Sequence, residues 1–281
     1  MSHSIPYRQP EEFLAFYQFK DTANPKALQN VINETYSSKL LGTIILAKEG
    51  INGSIMGNSE NVKKFITTLK KNGFCNLTMN QYLSRNEAFD RFVVKIKNEI
   101  VTSNFKAPKS KMSFYIEPDK WDEEIVKPNM TVLDVRNFYE SKIGSFLNAI
   151  KPKTRSFKEF KDFITIRLAD HPKDKPIAMF CTGGIRCEKA ADFLNSIGFS
   201  SIYKLNGGIL GYFKKNKTKK SLWTGDCFVF DKRVAINRNF VKMKYQQCYG
   251  CKTIITHDTF LLSSEEWTLC LKCKETRNND D

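Results

Sequence analysis

Eight cysteines are spread over this chain of 281 residues, and their spacing sorts them by the chemistry they can do. Cys181 follows the apolar run Ile177 to Phe180 and precedes Thr182-Gly183-Gly184-Ile185-Arg186 and a helical stretch, Cys187 to Gly198. A loop placed between a strand and a helix turns its backbone N–H groups inward and forms a nest for an anion at the helix N-terminus. The two glycines let the loop curl tightly, and Arg186 adds a fixed positive charge. Each effect favours thiolate over thiol, and the thiolate is the nucleophile. Four residues separate Cys181 from Arg186, one fewer than in a phosphatase loop of similar design. A cradle of that size suits one extra sulfur on the cysteine, a persulfide, better than a phosphate. Cys187 reads as a small residue packing under the loop; the alternative is a partner that resolves a persulfide as a disulfide.

Four more cysteines form the pairs Cys248-x-x-Cys251 and Cys270-x-x-Cys273, with 18 residues between them. Two such pairs can place four thiolates around one metal ion, the pattern of a closed, structural zinc site without a catalytic water position. Tyr249-Gly250 permits the tight knuckle turn. His257 lies between the pairs and is left out, because four sulfurs saturate zinc. Cys227 stands unpaired, and Cys75 reads as core. No apolar run approaches the ~18 residues of a membrane span, and the opening residues MSHSIPYRQP lack a secretory pattern. The expectation is a cytosolic protein whose thiols stay reduced.

The elements that must position these groups fall into three parts. In the first, expected over 1–108, strands at Leu14 to Phe19, Gly42 to Ala47, Ser54 to Gly57 and Arg91 to Lys97 alternate with helices opened by Asn24-Pro25 and capped by Ser59. The order βαββαβ is the ferredoxin-like pattern. The turn Lys48 to Gly53 holds two glycines and an asparagine and reads either as a plain hairpin or as a place where a ligand meets the backbone. After a linker at 109–120, strands at Met130 to Arg136 and Pro176 to Cys181 alternate with helices in a parallel α/β pattern over 121–218, Ser156 and Glu159 being spaced as a capping box. Ligands of such sheets bind at the carboxyl ends of the strands, where Asp134, Arg136 and Cys181 lie. Arg155 precedes a helix; it holds a phosphate or a base oxygen, or pairs with a carboxylate. The third part, 219–281, is a basic segment with the paired cysteines.

Charge adds a partner. Lys and Arg number 45 against 30 Asp and Glu, a formal +15, which suits a polyanion, nucleic acid foremost. Between Lys214 and Lys252 stand 11 basic and 2 acidic residues, a local +9, with Lys214, Lys215, Lys217, Lys219 and Lys220 at its start.

The Cys181 loop resembles that of the rhodanese family, and the likeness extends to Asp134-Val135-Arg136, Ile143 to Ala149 and Leu205-Asn206-Gly207-Gly208. Longer strings, AKEGINGSIMG (Ala47 to Gly57), DVRNFYESKIGSFLNAIKPKTRSFKEF (Asp134 to Phe160) and FCTGGIRCEKA (Phe180 to Ala190), resemble the rhodanese-containing tRNA uridine hydroxylases. That resemblance implies oxygen-dependent conversion of the wobble uridine to 5-hydroxyuridine, with the cysteine matching Cys181 as active-site residue and persulfide carrier. Molecular oxygen is then a co-substrate; the sequence carries no flavin, haem or iron-ligand pattern. The alternatives are a sulfurtransferase moving sulfane sulfur from thiosulfate or a persulfide, and an RNA-binding protein with a non-catalytic rhodanese fold. A tRNA partner would be gripped by the lysines from Lys214 onward, with the target base splayed out on Tyr212 or Phe213.

Overall fold

The computed structural model describes residues 10–106, 108, 113–216, 220–256 and 269–273. The chain divides into two compact units, Met1–Lys109 and Ser110–Asp281.

In the first unit, β1 (Glu11–Phe19) is apolar on both faces because it lies inside the sheet. It is followed by α1 (Pro25–Tyr36), β2 (Leu41–Ala47), β3 (Gly50–Gly57), α2 (Ser59–Lys71), β4 (Thr78–Ser84) and β5 (Phe92–Ile96). The sheet order is β4-β1-β3-β2-β5. Leu14 and Phe16 pack with Leu28, Ile32 and Tyr36 of α1 and Val62, Phe65 and Leu69 of α2; Phe13 packs on the other side with Met56, Ala88 and Phe89. The first four strands give the ferredoxin-like order. The strand that completes it is β4, TMNQYLS, which the sequence reading passed over because its residues are mostly polar. The segment read as closing the pattern is instead a fifth strand, β5, parallel to β2.

Of three local readings, one holds and two change. The stretch Lys48 to Gly53 is a hairpin: Ala47 pairs with Gly50, and Gly50 to Gly53 belong to β3 and pair with both β1 and β2. Gly50 is required there, since its φ is 144° and a Cβ would sit 2.1 Å from the Gln18 carbonyl oxygen. The cap of α2 is Asn58, whose side chain accepts from the Asn61 N–H at 2.8 Å, and Ser59 is the first helical residue. Cys75 is exposed, not core.

The second unit holds β6 (Phe114–Ile116), α3 (Trp121–Ile125), β7 (Thr131–Asp134), α4 (Phe138–Ile143), β8 (Gly144–Phe146), α5 (Phe160–Arg167), β9 (Ile177–Phe180), α6 (Ile185–Ser196), β10 (Ile202–Leu205) and α7 (Gly208–Lys215). Strands β6-β10-β9-β7 make one parallel sheet. Before α5 comes a 3₁₀ turn, Phe157–Glu159. The Ser156–Glu159 spacing is used in one direction: the Glu159 carboxylate accepts from the Ser156 hydroxyl at 3.0 Å and the Arg155 N–H at 2.9 Å, while Ser156 caps nothing.

The basic tail continues this unit through a separate two-stranded sheet. β11 (Trp223–Gly225) pairs antiparallel with β8, and β12 (Cys227–Phe228) forms a hairpin with β13 (Ala235–Ile236). The Trp223 ring packs on Phe146 at 5.1 Å and on Phe213 at 5.5 Å, completing an aromatic core with Trp121 and Phe180. β14 (Tyr245–Gln247) and β15 (Ile254–Thr256) follow. No helix among the described residues is long and apolar enough to cross a membrane.

Candidate active site

Cys181 sits directly past β9 at the carboxyl end of the parallel sheet and is fully buried. Gly184 has a φ of 103°, a conformation other residues avoid, and its N–H points at Cys181 Sγ from 3.2 Å. α6 begins at the next residue. Gly183 carries no such constraint: a Cβ there would meet nothing within 4 Å, so the outer side of the loop faces open space.

A second pair of glycines holds the loop from behind. The first turn of α7 donates from Ile209 N–H to Cys181 O at 3.0 Å and from Leu210 N–H to Thr182 O at 3.1 Å. Gly208, with φ 63°, lies so close that a Cβ would be 2.5 Å from Cys181 O and 2.8 Å from Gly184 N. With its carbonyls tied down this way, the loop keeps its N–H groups on the sulfur side.

Burial pushes the Cys181 thiol up. The Cys187 thiol, the Arg186 charge and the N–H groups of Cys187 and Arg186 outweigh it and bring Cys181 down to about 6. Burial and then the bond to Cys181 push Cys187 well above the ordinary thiol range. At neutral pH the pair is therefore a Cys181 thiolate beside a protonated Cys187.

Arg186 is not a bare charge. Its guanidinium forks onto Glu140, with Nη1 to Oε1 at 2.6 Å and Nη2 to Oε2 at 2.7 Å, and both side chains are buried. Glu140 also accepts from the Asn137 N–H at 3.0 Å. The sequence reading missed this carboxylate, which lies 46 residues away on α4. Arg186 Nη2 also donates to Thr182 Oγ1 at 3.4 Å. Ile185 opens α6.

Asp134 and Arg136 form a second buried fork, Nε to Oδ1 at 2.9 Å and Nη2 to Oδ2 at 2.7 Å. Arg136 also donates to Gly144 O at 2.6 Å, Ser145 donates to Asp134 at 2.9 Å, and the guanidinium lies 5.1 Å from the Trp223 ring centre. The pair joins β7, α4, β8 and β11 and presents nothing to solvent. Arg155 is exposed, with its N–H on Glu159. Lys214, Lys215 and Lys220 are exposed, and Lys217 and Lys219 lie outside the described residues. Tyr212 and Phe213 are fully buried, and the Tyr212 hydroxyl donates to Asp122 at 2.7 Å. Neither can stack a base; they face inward because α7 packs its apolar side on the aromatic core.

The four tail cysteines converge. The sulfurs of Cys248, Cys251, Cys270 and Cys273 all lie within 4.8 Å of one another, and Cys251 and Cys270 are 3.6 Å apart. Tetrahedral zinc with Zn–S bonds of ~2.3 Å places sulfurs ~3.8 Å apart, so the donor set fits. Gly250 is needed for the approach, since a Cβ would meet Cys273 Sγ at 3.2 Å. His257 lies outside the described residues.

Known proteins match both units. The family model for the UPF0176 acylphosphatase-like domain matches residues 12–100, and that for the rhodanese-like domain matches residues 117–215. A tRNA uridine(34) hydroxylase of Acinetobacter baumannii strain AYE is 38% identical over 262 residues, covering 92% of this chain and 83% of the relative. One of Acinetobacter baylyi is 38% identical over 264 residues, covering 93% and 84%. Among solved structures, a rhodanese-like domain protein from Staphylococcus aureus overlaps with a TM-score of 0.30 at 23% identity, over 35% of this chain and 90% of that one. The chain, with its cysteine loop at the carboxyl end of a parallel sheet, belongs to the tRNA uridine(34) hydroxylase family.

Proposed function

We propose that this chain hydroxylates the wobble uridine of tRNA to 5-hydroxyuridine, with molecular oxygen as co-substrate and Cys181 as the active-site residue. The observation that carries the reading is the 38% identity to named tRNA uridine(34) hydroxylases across 92% of the chain; the rhodanese-like match includes the Cys181 loop. In this reading Cys181 works as a thiolate that attacks the outer sulfur of a small persulfide donor, keeps that sulfur as its own persulfide and releases the donor's inner sulfur as a thiolate. Thr182, Gly183, Gly184 and Ile185 form the cradle, and Arg186, oriented by Glu140, supplies the positive field. Cys187 keeps its proton and donates it as a hydrogen bond toward the Cys181 sulfur. Asp134 and Arg136 brace the strand ends, and Arg155 offers an exposed cation to an RNA phosphate.

Cys248, Cys251, Cys270 and Cys273 would hold a zinc ion, which would tie the tail together. Four sulfurs leave it no open coordination position, so its role is structural. The lysines at 214, 215, 217, 219 and 220 bind RNA phosphates, which makes affinity fall steeply with salt. The protein works in the cytosol, where its thiols stay reduced.

The depressed Cys181 thiol also serves a sulfurtransferase, so the test must separate the two. Mass spectrometry of tRNA nucleosides from cells with and without the gene does so. Loss of 5-hydroxyuridine on deletion is expected. Unchanged 5-hydroxyuridine with loss of a thiolated nucleoside would point to sulfur transfer instead.

A further inference from the structure

With Tyr212 and Phe213 buried, the expected stacking residues are excluded, and a base brought to the Cys181 loop needs another surface. The β12–β13 hairpin offers one. Its root is core: Cys227, Phe228, Val229, Ala235 and Ile236 are all buried. The next residue after Val229 is Phe230, and it is 65% exposed. Its ring packs edge-on against Phe228 at 5.0 Å, and the Arg186 guanidinium lies 5.6 Å from its centre. Arg186 in turn touches Thr182, the residue after Cys181.

Single exposed apolar residues are ordinary on a protein surface. What distinguishes Phe230 is where it stands and how firmly it is held. The hairpin tip is closed by Val229 N–H to Val234 O at 2.9 Å and Val234 N–H to Asp231 O at 3.0 Å. Beneath it, Arg233 forks onto Asp231, Nε to Oδ1 at 2.8 Å and Nη2 to Oδ2 at 2.6 Å, and Arg233 is fully buried. A buried fork of this kind fixes the tip in one shape. Among the described residues, the other exposed aromatics are engaged elsewhere: Phe114 packs on Tyr203, Tyr115 bonds to Glu188, and Tyr249 lies near Lys252.

We propose that Phe230 is the platform on which the target base of a single-stranded RNA loop stacks when that loop is presented to Cys181. The inference rests on the reading of an RNA uridine as substrate. A base taken out of its own stack loses π contacts that an exposed, preorganised ring can replace, and the exposed Lys232 at the same tip stands where a backbone phosphate would pass. Every base has a π face, so Phe230 holds the base rather than choosing it. It is a positioning residue: it sets the base against Arg186 and the loop.

The test uses the full chain and an anticodon-arm stem–loop RNA with uridine at the target position. Phe230→Ala is expected to lower single-turnover hydroxylation at subsaturating RNA by about 5- to 150-fold, the range of one lost base–aromatic stack. Phe230→Trp is expected to restore it, because the larger ring keeps the stack. With 5-iodouridine at the target position, photo-crosslinking should join the RNA to Phe230. The pH profile of Cys181 alkylation should stay in place in both variants, showing that the loop is intact. An Ala variant that hydroxylates as fast as the parent, or a crosslink that maps elsewhere, overturns the proposal and leaves the hydroxylase reading standing. A profile that moves, with no rescue by Trp, overturns it as well, since Phe230 would then act only through Arg186. A crosslink at Phe230 without any hydroxylation supports the platform and sinks the hydroxylase reading.

Discussion

Glu140→Gln is the change whose consequences the geometry fixes most tightly. It removes one charge from a pair in which both side chains are buried, and the amide nitrogen it introduces must face an Arg186 nitrogen where an oxygen stood at 2.6 or 2.7 Å. Solvent screening is slight, because the exposed fractions of the two side chains are 7% and 0%. Breaking a buried pair from one side costs roughly 3–5 kcal/mol, since the remaining charge stays buried without its partner. For a unit the size of Ser110–Asp281, each kcal/mol moves Tm by about 2–4 °C, so the drop should be roughly 6–20 °C. Removing both charges in Glu140→Gln/Arg186→Met leaves no orphaned ion, and this double variant should recover part of the loss. The electrostatic sign is equally definite. Without the carboxylate, the Arg186 charge acts on the sulfur unopposed, so Cys181 should titrate below the parent's value of about 6; in the Arg186→Met variant it should titrate above it. Thermal unfolding and the pH dependence of iodoacetamide alkylation measure the two effects. A Tm loss under about 3 °C in Glu140→Gln, with no recovery in the double variant, would refute the buried-pair reasoning.

The other predictions concern the same loop and the tail. Cys181→Ala should abolish hydroxylation and keep the fold. A thiol held down to about 6 in the folded state, against about 8.5 in the unfolded chain, contributes stability that is complete above the unfolded value and is lost as pH falls through the folded one. The parent should therefore gain stability from pH 6 to pH 8.5, and chemical denaturation of Cys181→Ala should show that rise removed. Gly208→Ala, with its Cβ 2.5 Å from Cys181 O and a φ of 63°, should push the loop outward and move the alkylation midpoint of Cys181 up toward the free-thiol range. Purified protein should contain about one zinc per chain; metal analysis checks this, and Cys251→Ser should lower the content while circular dichroism of the parallel sheet holds.

The chemistry-bearing loop was legible because its needs are local. A strand end, a glycine that tolerates positive φ and a following helix are adjacent in sequence, so Cys181 and its nest follow from one short string. The four convergent cysteines were legible for the same reason, each pair spanning one knuckle. Glu140 was not, because its pairing with Arg186 joins two helices 46 residues apart, and a lone acidic residue in a helix ordinarily faces water. β4 hid behind polar residues that an antiparallel ladder accepts along its outer strand. Tyr212 and Phe213 misled because an aromatic next to lysines suits RNA contact as well as it suits the buried side of an amphipathic helix. Only the turn of α7 decides between them.

The pairing of β11 with β8 closes the aromatic core with residues from beyond the rhodanese-like match. The rhodanese-like match ends at residue 215, yet Phe146 and Phe213 press on Trp223 and Arg136 lies across its ring. The part that looks self-contained therefore lacks one wall until the next strand arrives. As the chain leaves the ribosome, the reactive thiol is synthesised first and the indole that shuts the core behind it comes later. Early-terminated chains would carry an open, sticky aromatic surface, a ready substrate for chaperones and proteases. A chain that stops short of Trp223 therefore lacks the ring that covers Phe146 and Phe213 and leaves one side of the aromatic core open.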